Sequence, residues 1–308
     1  MTAALTLLIA LFLDAILGEP KAIWKRFPHP AVLMGRLIDF GDRCLNSGER
    51  KRLKGALFII GMCGLAWMIG RFISWRPDFG MLEIAFGAIL IAHRSLVDHV
   101  MDVSKALHNS LVHGREKVAM IVGRETKDMN ESAIARAAIE SGAENFSDGV
   151  IAPAFWFLIG GLPGILIYKT VNTADSMIGY LNAKYAEFGW ASARLDDLMN
   201  YIPARITGAL ICIVSGQPNC WKTMTEDAKN HRSPNAGWPE AAMAGALNLA
   251  LSGPRTYEGH RTQDPFVNAS GRQDLTRLDI EDAVQVLWKA WSLFVAIVAM
   301  IALIFTFL

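Results

Sequence analysis

The sequence carries little charge of either sign, and it lacks features that define several large classes of protein. Its 308 residues include 30 lysines and arginines and 29 aspartates and glutamates, so the formal net charge is +1. A nucleic-acid-binding domain normally has a basic excess, and a disordered chain combines few apolar residues with a large net charge. A chain with 52% hydrophobic and 19% charged residues fits neither class. Soluble domains average about 25% charged residues, so the composition indicates a membrane protein.

Cysteine is scarce, and the common cofactor motifs are missing. The four cysteines form no C-x-x-C pair, and Cys63 and Cys212 lie inside apolar runs. We therefore expect neither a disulfide scaffold nor a structural zinc site. The motifs H-E-x-x-H, G-x-x-x-x-G-K-[ST], G-x-G-x-x-G and G-x-S-x-G do not occur in the sequence. A nucleotide would have to be held by Mg²⁺ and arginines, because there is no Walker loop.

Long apolar runs are the feature that the sequence does have. Residues 290–308 carry no charge and approach the ~20 residues that a spanning helix needs. Residues 149–168 are also uncharged, but the break GGLPG predicts either a kinked crossing or a re-entrant turn. Four further runs are shorter: 55–70, 206–221, 3–17 and 81–92. The last two are equally well interpreted as buried core helices.

These runs predict an all-α, polytopic integral membrane protein with about four to six spanning helices and helical polar loops. We treat residues 1–308 as a single membrane domain. Its polar loops comprise three stretches: 93–149, 169–205 and 218–289.

The distribution of lysine and arginine predicts the orientation in the membrane. Nine of these residues lie between 21 and 54, two between 71 and 76, and seven between 94 and 136. By the positive-inside rule, the three loops alternate between cytoplasm, outside and cytoplasm. We therefore expect a multi-pass protein of the cell (inner) membrane whose active loops face the cytoplasm.

The first polar cluster lies in the string AAIESGAENFSDG. On a helix, Glu140, Glu144 and Asp148 would follow one another at four-residue steps along one face, with Asn145 beside them. Like charges at this spacing repel each other, so the stripe requires a compensating cation. That cation is an arginine, a substrate amine or Mg²⁺, unless the stripe is simply a solvated helix face.

The second polar cluster lies in the string YKTVNTADSMIGY. Asn172, Asp175, Ser176 and Gly179 would share one face of a helix that follows an apolar span. Such a face is either a capped helix start at the headgroup boundary or an oxygen-rich wall that contacts a ligand.

The third polar cluster lies in the string ARLDDLMNYIPAR. Asp196, Asp197 and Asn200 offer the hard oxygen donors that Mg²⁺ uses when phosphate oxygens complete its shell. Arg194 and Arg205 flank these residues and suit phosphate or carboxylate oxygens. The alternative is that the aspartates merely pair with these two arginines.

A further polar group surrounds the turn in HRSPNAGWPEAAMAGAL. His231, Ser233, Asn235 and Glu240 lie next to a helix of small residues, which allows close helix packing. Near the amino end, Asp14 lies in an apolar run. Its position close to the end of that run favours a place at the membrane interface over an intramembrane role.

The chain resembles the CobD/CbiB family of cobalamin biosynthesis, adenosylcobinamide-phosphate synthase. The resemblance rests on AENFSDG, NTADSMIGY, LDDLMNYIPAR and HRSPNAGWPEAAMAGAL, which follow one another in order, and it extends from Asp14 to about residue 259. Glu125 and Glu19 depart from the family's aspartates but keep the carboxylate.

The resemblance implies an integral membrane enzyme that joins adenosylcobyric acid to (R)-1-amino-2-propanol phosphate or a related amino alcohol through an amide bond. ATP would be a substrate and Mg²⁺ a cofactor. The implied partners are these substrates, the lipid bilayer and other membrane-bound enzymes of cobalamin assembly, with no nucleic acid. A corrinoid cleft at the membrane boundary would be lined by Trp156, Tyr168 and Trp190.

Combined with the polar clusters, the resemblance assigns three sets of site residues. The catalytic set consists of Glu140, Glu144, Asp148 and Asn145. The substrate- and phosphate-binding set consists of Arg124, Lys169, Asn172, Asp175, Ser176, Arg194, Arg205, His231 and Asn235. The magnesium set consists of Asp196, Asp197 and Asn200.

Two other functions remain open from the sequence alone. A membrane sensor of the AmpE-like type would share the general build but would not need the full set of acids and amides. A transporter is suggested by the GGLPG break and by Asp14, and it would not consume ATP in step with amide formation.

Overall fold

The computed structural model describes residues 1–19, 24–257 and 260–307. Pro20, Lys21, where the basic segment begins, and residue 259, where the family resemblance ends, lie outside the described residues. Helices dominate the described chain: α1 Ala3–Leu17, α2 Pro30–Leu45, α3 Lys51–Ser74, α4 Met81–Leu90, α5 His93–Asn109, α6 Leu111–Val118, α7 Glu131–Phe146, α8 Ala152–Ile178, α9 Trp190–Ser215, α10 Pro218–Asp227, α11 Gly237–Leu247 and α12 Arg277–Phe307. A π-helical turn, Ser147–Ile151, joins α7 to α8, and a 3₁₀ turn, Ala228–Asn230, follows α10.

Strands are very short in the described residues and form two antiparallel pairs. Leu251–Ser252 (β1) pairs with Phe266–Val267 (β4), and Thr256–Tyr257 (β2) pairs with His260–Arg261 (β3). The prediction of an all-α protein is confirmed.

Among the described residues, five helical stretches are long and apolar enough to cross a membrane. They are Lys51–Ser74, Met81–Asn109, Glu131–Ile178, Trp190–Ser215 and Arg277–Phe305. The helix α1 is also apolar but shorter. The chain is therefore a polytopic membrane protein, and the prediction of four to six spans is confirmed.

The GGLPG break in α8 is a reversal of the chain. Gly161 has non-helical dihedral angles, φ 59° and ψ −151°, and Pro163 follows it. A Cβ added at Gly164 would lie 2.2 Å from the carbonyl oxygen of Trp156. Residues eight apart in a straight helix are separated by about 12 Å along the axis, so the segment folds back on itself. Of the two alternatives from the sequence, the structure selects the re-entrant turn.

The chain, predicted as one domain, forms two compact units. The first unit comprises Met1–Ala92, Ala152–Asn200 and Val298–Leu308. In its core, α3 packs against α8, and the buried side chains include Ile38, Ile59, Tyr168, Val171 and Phe188. A Cβ at Gly70 would lie 2.6 Å from the Cα of Pro163, so α3 reaches the turn of α8 because it carries glycine there.

Large apolar side chains of the first unit are exposed along α1 and α3. Phe12, Leu57, Ile60, Trp67 and Phe72 each expose between 48% and 65% of their surface. Soluble proteins seldom show so continuous an apolar surface. Contact with lipid hydrocarbon accounts for it.

The segment between α8 and α9 is fastened to α2 and α3. The Lys184 ammonium lies 2.8 Å from Asp42, and the Asn46 amide donates to the Lys184 carbonyl oxygen at 3.1 Å. A Cβ at Gly55 would lie 1.9 Å from the carbonyl oxygen of Phe188, so backbone and helix meet directly. The Arg52 guanidinium stacks over Trp190, the first residue of α9. These contacts fix where α9 begins.

The second unit comprises His93–Ile151 and Tyr201–Ile297. Its centre is α11, in which Ala241, Ala242, Met243 and Ala244 are fully buried. A Cβ at Gly245 would lie 2.8 Å from the Cα of Cys220 on α10. The small residues therefore allow the close helix packing that the sequence predicted.

The expectation about cysteines needs a correction. Cys212 on α9 and Cys220 on α10 form a disulfide with Cα atoms 5.4 Å apart. The turn at Gly216 reverses the chain between the two helices, which brings together cysteines that no short motif links. Cys44 and Cys63 are free thiols.

Candidate functional site

Glu140, on α7 in the second unit, has a side chain that is 5% exposed and lies in a network of hydrogen-bond donors. Its Oε2 accepts hydrogen bonds from Arg124 at 2.7 Å and from Arg255 at 3.0 Å. Its Oε1 accepts one from the backbone N–H of Ser252 at 2.5 Å. Arg255 also donates to the hydroxyl oxygen of Ser252 at 3.2 Å. Two arginines thus supply the cation that the acidic stripe requires.

Three separate pieces of the chain form this network. Helix α7 begins after Asn130, whose side chain accepts a hydrogen bond from the backbone N–H of Ala133. Arg124 comes from the loop before α7, and Arg255 comes from the segment between β1 and β4. Arg136 binds the segment before β1 by donating to the carbonyl oxygen of Ala250 at 2.9 Å. The ladder between β1 and β4 thus holds Ser252 and Arg255 next to α7.

A second buried carboxylate, Glu240 on α11, lies behind Arg255. It is 1% exposed, with Oε1 3.5 Å from Nε2 of His231 and Oε2 3.9 Å from the Arg255 guanidinium. Burial, together with the negative charges of Glu140 and Glu144, raises the pKa of Glu240 well above its ordinary value. Burial therefore favours the protonated form of the Glu240 carboxyl.

His231 lies next to Glu240. Its Nδ1 accepts a hydrogen bond from the backbone N–H of Ser233 at 3.1 Å, and its Nε2 is the ring nitrogen that faces Glu240. Burial lowers the pKa of His231 and so favours the neutral ring over the charged one.

Two cavities meet at Arg255 and Ser252. The arginine cavity has a volume of about 320 Å³ and is lined by Arg124, Arg136 and Arg255, with Glu125 and Asp128 in exposed positions. The acid cavity has a volume of about 210 Å³ and is lined by Glu144, His231 and Asp264 among others. Arg255 and Ser252 line both cavities and form their common wall.

The predicted acidic stripe is only partly reproduced. Glu144 lines the acid cavity, one turn beyond Glu140. Asn145 is exposed and donates to the carbonyl oxygen of Ser141 at 2.9 Å. Asp148 lies in the π-helical turn, whose wider spacing shifts it away from the α-helical face assumed in the sequence analysis. The structure groups Glu140 with Glu144, and Asp148 belongs to a different turn.

The first unit contains a separate polar network around Asp196, which is 8% exposed. Its two carboxylate oxygens accept hydrogen bonds from the amides of Asn172 at 3.3 Å and Asn200 at 2.9 Å. The Tyr168 hydroxyl donates to the Asn200 oxygen at 2.9 Å. The positive charge of Lys169 also acts on Asp196. The structure therefore brings Asn172 and Lys169, predicted to bind substrate or phosphate, together with Asp196 and Asn200, predicted to bind magnesium.

Asp197 follows Asp196 on α9 and is less buried than Asp196. Its carboxylate lies 3.6 Å from Arg194, and both side chains are partly exposed. In the part of the chain that the structure describes, no three His, Cys, Asp or Glu side chains are grouped closely enough to hold a metal. Magnesium commonly binds one or two carboxylates and completes its shell with water and phosphate, so this finding leaves the predicted set open.

Arg205 and Asn235 lie together in the second unit. The Arg205 guanidinium donates to the carbonyl oxygen of Tyr201 at 2.6 Å and to the Asn235 amide oxygen at 3.5 Å. It stacks over the rings of Tyr201 and Trp238, with centroid distances of 3.5 Å and 4.4 Å. Arg205 is thus anchored by its own helix and by the turn before α11.

Two residues of the second predicted cluster bond within their own helix. The Ser176 hydroxyl donates to the carbonyl oxygen of Asn172 at 2.9 Å. The Asp175 carbonyl oxygen accepts from the N–H of Gly179 at 2.8 Å, where α8 ends. The cluster therefore lies at the end of α8, whereas one of the two predicted alternatives placed it at a helix start.

The predicted aromatic lining of a corrinoid cleft requires a correction. Tyr168 is fully buried and bonded to Asn200, so it cannot line an open surface. Trp156 lines a largely apolar cavity of about 500 Å³ at the turn of α8, together with Trp67 and Arg71. Trp190 is stacked under Arg52.

Sequence reasoning missed the importance of Arg255, Ser252 and Glu240. Arg255 follows the string LSGP, which matches no motif, and Ser252 acts through its backbone N–H as well as its hydroxyl. Glu240 was noted beside the small-residue helix, but nothing in the pattern shows that it is buried. The only available signal was the requirement for a cation near Glu140.

The chain is similar to known proteins over nearly its whole length. The family model described as CobD/Cbib protein matches residues 7–287. The cobalamin biosynthesis protein CobD of Brucella anthropi is 44% identical over 314 residues, which cover 96% of each chain. The protein of the same name from Rhizobium meliloti is 46% identical over 305 residues, covering 94% of this chain and 93% of its own. The one from Rhodobacter capsulatus is 45% identical over 278 residues, 88% of each chain. No solved structure matches this chain.

Proposed function

Because the chain belongs to the CobD/CbiB family, we propose that it acts in cobalamin biosynthesis as a membrane ligase. The reaction is ATP-dependent amide formation between adenosylcobyric acid and (R)-1-amino-2-propanol phosphate or a related amino alcohol. The observation that carries this proposal is the network in which Arg124, Arg255 and the Ser252 N–H surround Glu140 beside the two cavities. It supplies fixed positive charge next to carboxylates, as a phosphate-bearing amine requires.

The chemistry explains why both signs of charge are needed. A carboxylate reacts with an amine only after one of its oxygens becomes a leaving group, and transfer of the γ-phosphoryl group from ATP provides one. The amine nitrogen then bonds to the acyl carbon, the C–O bond to phosphate breaks, and the amine loses a proton. Glu144 lines the acid cavity and is the carboxylate placed to accept that proton. Arg124 and Arg255 stabilise phosphate oxygens by position and charge.

Magnesium would be held in the first unit by Asp196 and Asp197. Each oxygen of Asp196 accepts one amide hydrogen, which leaves a lone pair on both, and Asp197 is partly exposed. The donor chemistry therefore suits an ion that takes one or two carboxylates from protein. When bound, the ion would neutralise charge on the nucleotide phosphates. Asn172 and Asn200 orient Asp196, and Arg194 lies beside Asp197.

We propose that the protein spans the inner membrane and that its polar loops face the cytoplasm, where ATP is available. The distribution of lysine and arginine between the loops supports this orientation.

The decisive experiment is an assay of the purified protein in detergent. Adenosylcobyric acid, Mg²⁺, ATP and each candidate amino alcohol are mixed with the protein, and the amide product and ADP are quantified by mass spectrometry. We expect one ADP for each amide formed. Asp197→Asn is expected to lower turnover while membrane insertion stays normal, whereas Asp98→Asn, which alters an exposed pair with Arg94, serves as the matched control. Turnover without ATP, or transport of the substrate without amide formation, would contradict the proposal.

A further inference from the structure

The turn of α8 encloses a largely apolar cavity in the first unit, which we call the turn crevice. It has a volume of about 500 Å³, and Trp67 and Arg71 of α3 form one side of it. The arm of α8 before the turn contributes Trp156, Ile159 and Gly160 to the lining. Trp67 and Ile159 expose 52% and 62% of their surface. The turn crevice is therefore open along the apolar surface that contacts lipid.

Hydrogen bonding and close backbone packing hold the walls of the turn crevice in place. Pro203 of α9 lacks the N–H that would donate to the carbonyl oxygen of Met199. The Trp156 indole N–H donates to that oxygen instead, at 3.0 Å. At the turn itself, a Cβ added at Gly70 would lie 2.6 Å from the Cα of Pro163, so α3 and α8 meet directly. The turn crevice is thus a built pocket with fixed walls on α3, α8 and α9.

The sequence of α3 places Arg71 at the depth of the lipid headgroups. The uncharged run 55–70 ends immediately before Arg71, and a helix of that length extends about 24 Å, which is most of the hydrocarbon thickness. Trp75 follows one turn later and is 83% exposed, and tryptophan is enriched where hydrocarbon meets the headgroups. Trp67 lies one turn deeper than Arg71. The turn crevice therefore extends from the headgroup level toward the hydrocarbon.

Arg71 supplies a positive charge at the headgroup end of the turn crevice. Two nearby acids have other partners: Asp78 accepts a hydrogen bond from the backbone N–H of Gly80 at 3.0 Å, and Glu83 accepts one from the Ser74 hydroxyl at 2.6 Å. A guanidinium can bind two phosphate oxygens at once. A lipid phosphate is the anion that a bilayer offers at this depth, and an acyl chain is the apolar group attached to it.

We propose that the turn crevice binds one phospholipid, with the phosphate on Arg71 and an acyl chain between Trp67, Trp156 and Ile159. The lipid belongs to the leaflet opposite the Lys51 end of α3. It fills the space between α3 and the turn of α8, so it supports the turn from the lipid side. This site goes beyond the proposed function, because it takes no part in amide formation.

Native mass spectrometry of the delipidated, full-length protein in detergent tests the phosphate contact. The probes are dioleoyl phosphatidylglycerol and dioleoylglycerol, which has the same chains but no phosphate. We expect the protein to bind one phosphatidylglycerol about tenfold more tightly than dioleoylglycerol. Arg71→Gln should abolish this preference. Arg76→Gln is the matched control, since it removes the same charge near the same end of α3 from a guanidinium that lies over the Phe72 ring at 5.0 Å.

A second variant tests the acyl-chain contact without altering a charge. Gly160 lines the turn crevice, and no atom lies within 4 Å of a Cβ added there, so Gly160→Met should fill the space without a clash at its Cβ. Phosphatidylglycerol should then bind about tenfold more weakly, because displacing about two methylene groups corresponds to that factor. Gly64→Met on α3 is the control, since Gly64 has the same open surroundings but does not line the turn crevice.

Three results would overturn the inference: equal losses in Arg71→Gln and Arg76→Gln, unchanged phosphatidylglycerol affinity in Gly160→Met, or equal affinity of the unaltered protein for the two lipids. Displacement of the lipid by adenosylcobyric acid would also overturn it, since the turn crevice would then be a corrinoid site. The comparison of the two lipids on the unaltered protein keeps the test valid even if a variant folds poorly.

Discussion

Glu140 shows how a buried charge in this protein is maintained. A carboxylate whose side chain is 5% exposed loses almost all contact with water, and only close, hydrogen-bonded partners compensate for that loss. Arg124, Arg255 and the Ser252 N–H are these partners. The same contacts hold both arginines in the lining of the arginine cavity, so the shape of that cavity depends on the Glu140 side chain.

We expect Glu140→Gln to affect both properties. The amide cannot neutralise two arginines, and breaking a buried ion pair costs about 3–5 kcal/mol. Thermal unfolding in detergent should show this loss, and amide formation should fall by at least about a hundredfold. Glu116→Gln is the control, since that residue is exposed. Normal stability and turnover in Glu140→Gln would contradict the role of the network.

Glu240 makes stability depend on pH in a definite direction. Its pKa is raised above the unfolded value, chiefly by burial, so its contribution to stability is present at low pH and is lost as pH rises through the folded pKa. Glu240→Gln mimics the protonated form and removes this dependence. Because the pKa of Glu240 is raised, we expect the variant to become more stable than the parent as pH rises from the ordinary glutamate pKa into the alkaline range. Melting temperatures across that range, parallel for both proteins, would contradict this assignment.

Individual site residues were predictable only where they repeat at the spacing of a helix. Glu140 and Glu144 follow helical spacing, and Asp196 and Asn200 do so as well, so the sequence paired each of them correctly. Arg255 is 115 residues from Glu140. A contact between residues so far apart in the sequence leaves no local pattern. The strands beside Arg255 are also too short to be recognised from the sequence.

At the scale of elements, glycine determines where helices meet. Gly70 of α3 touches Pro163, and Gly164 touches the Trp156 carbonyl oxygen, with no space for a methyl group at either position. The turn of α8 and its packing against α3 therefore depend on the absence of two side chains.

Gly164→Ala and Gly70→Ala are each expected to destabilise the protein by about 1–3 kcal/mol, because a methyl group would overlap backbone atoms. Gly64→Ala on the same helix as Gly70 is the matched control, since no atom lies within 4 Å of the added group. It should be neutral or slightly stabilising, because alanine favours helices. Unfolding in detergent measures all three; equal effects at positions 64 and 70 would argue against this packing.

The sequence predicted most helices but left the behaviour of GGLPG open. Both a kinked helix and a reversal are compatible with the hydropathy and the length of this run. The choice between them depends on the contact of Gly164 with Trp156, which precedes the turn. The disulfide between Cys212 and Cys220 was missed for a similar reason. A turn at Gly216 places the two cysteines opposite each other, and hydropathy does not encode that pairing.

At the scale of the whole molecule, the orientation of the loops has a direct test. Cys44 is an exposed free thiol in the basic segment that we assign to the cytoplasm, and Pro77 is exposed in the loop assigned to the outside. In a Cys63→Ala background, a membrane-impermeant maleimide should label Pro77→Cys in intact cells but label Cys44 only after permeabilisation. The basic loop should remain inside because translocating many lysines and arginines is unfavourable. The reverse labelling pattern would overturn the orientation.

A range for the number of helices long and apolar enough to cross a membrane was accessible from the sequence, whereas the division into two units was not. The length of an apolar run is a local property of the sequence. It can be read directly, because a helix that spans the bilayer needs about 20 consecutive apolar residues. The units combine stretches far apart in the chain, such as Ala152–Asn200 with Met1–Ala92, and helices α9 and α12 each contribute to both. Such a division depends on side-chain packing between distant segments.

The backbone and the hydroxyl of Ser252 have opposite effects on stability, and a selection experiment would separate them. Its φ of 60° lies in the left-handed region, which costs a non-glycine residue about 1 kcal/mol, yet its hydroxyl accepts a hydrogen bond from Arg255. Ser252→Gly would keep the N–H that binds Glu140, relieve the backbone and lose the hydroxyl. A library sorted for heat resistance should enrich glycine at this position, and one sorted for corrinoid-dependent growth should deplete it. The presence of serine at position 252 would then indicate whether selection for stability or selection for activity has been stronger in this chain.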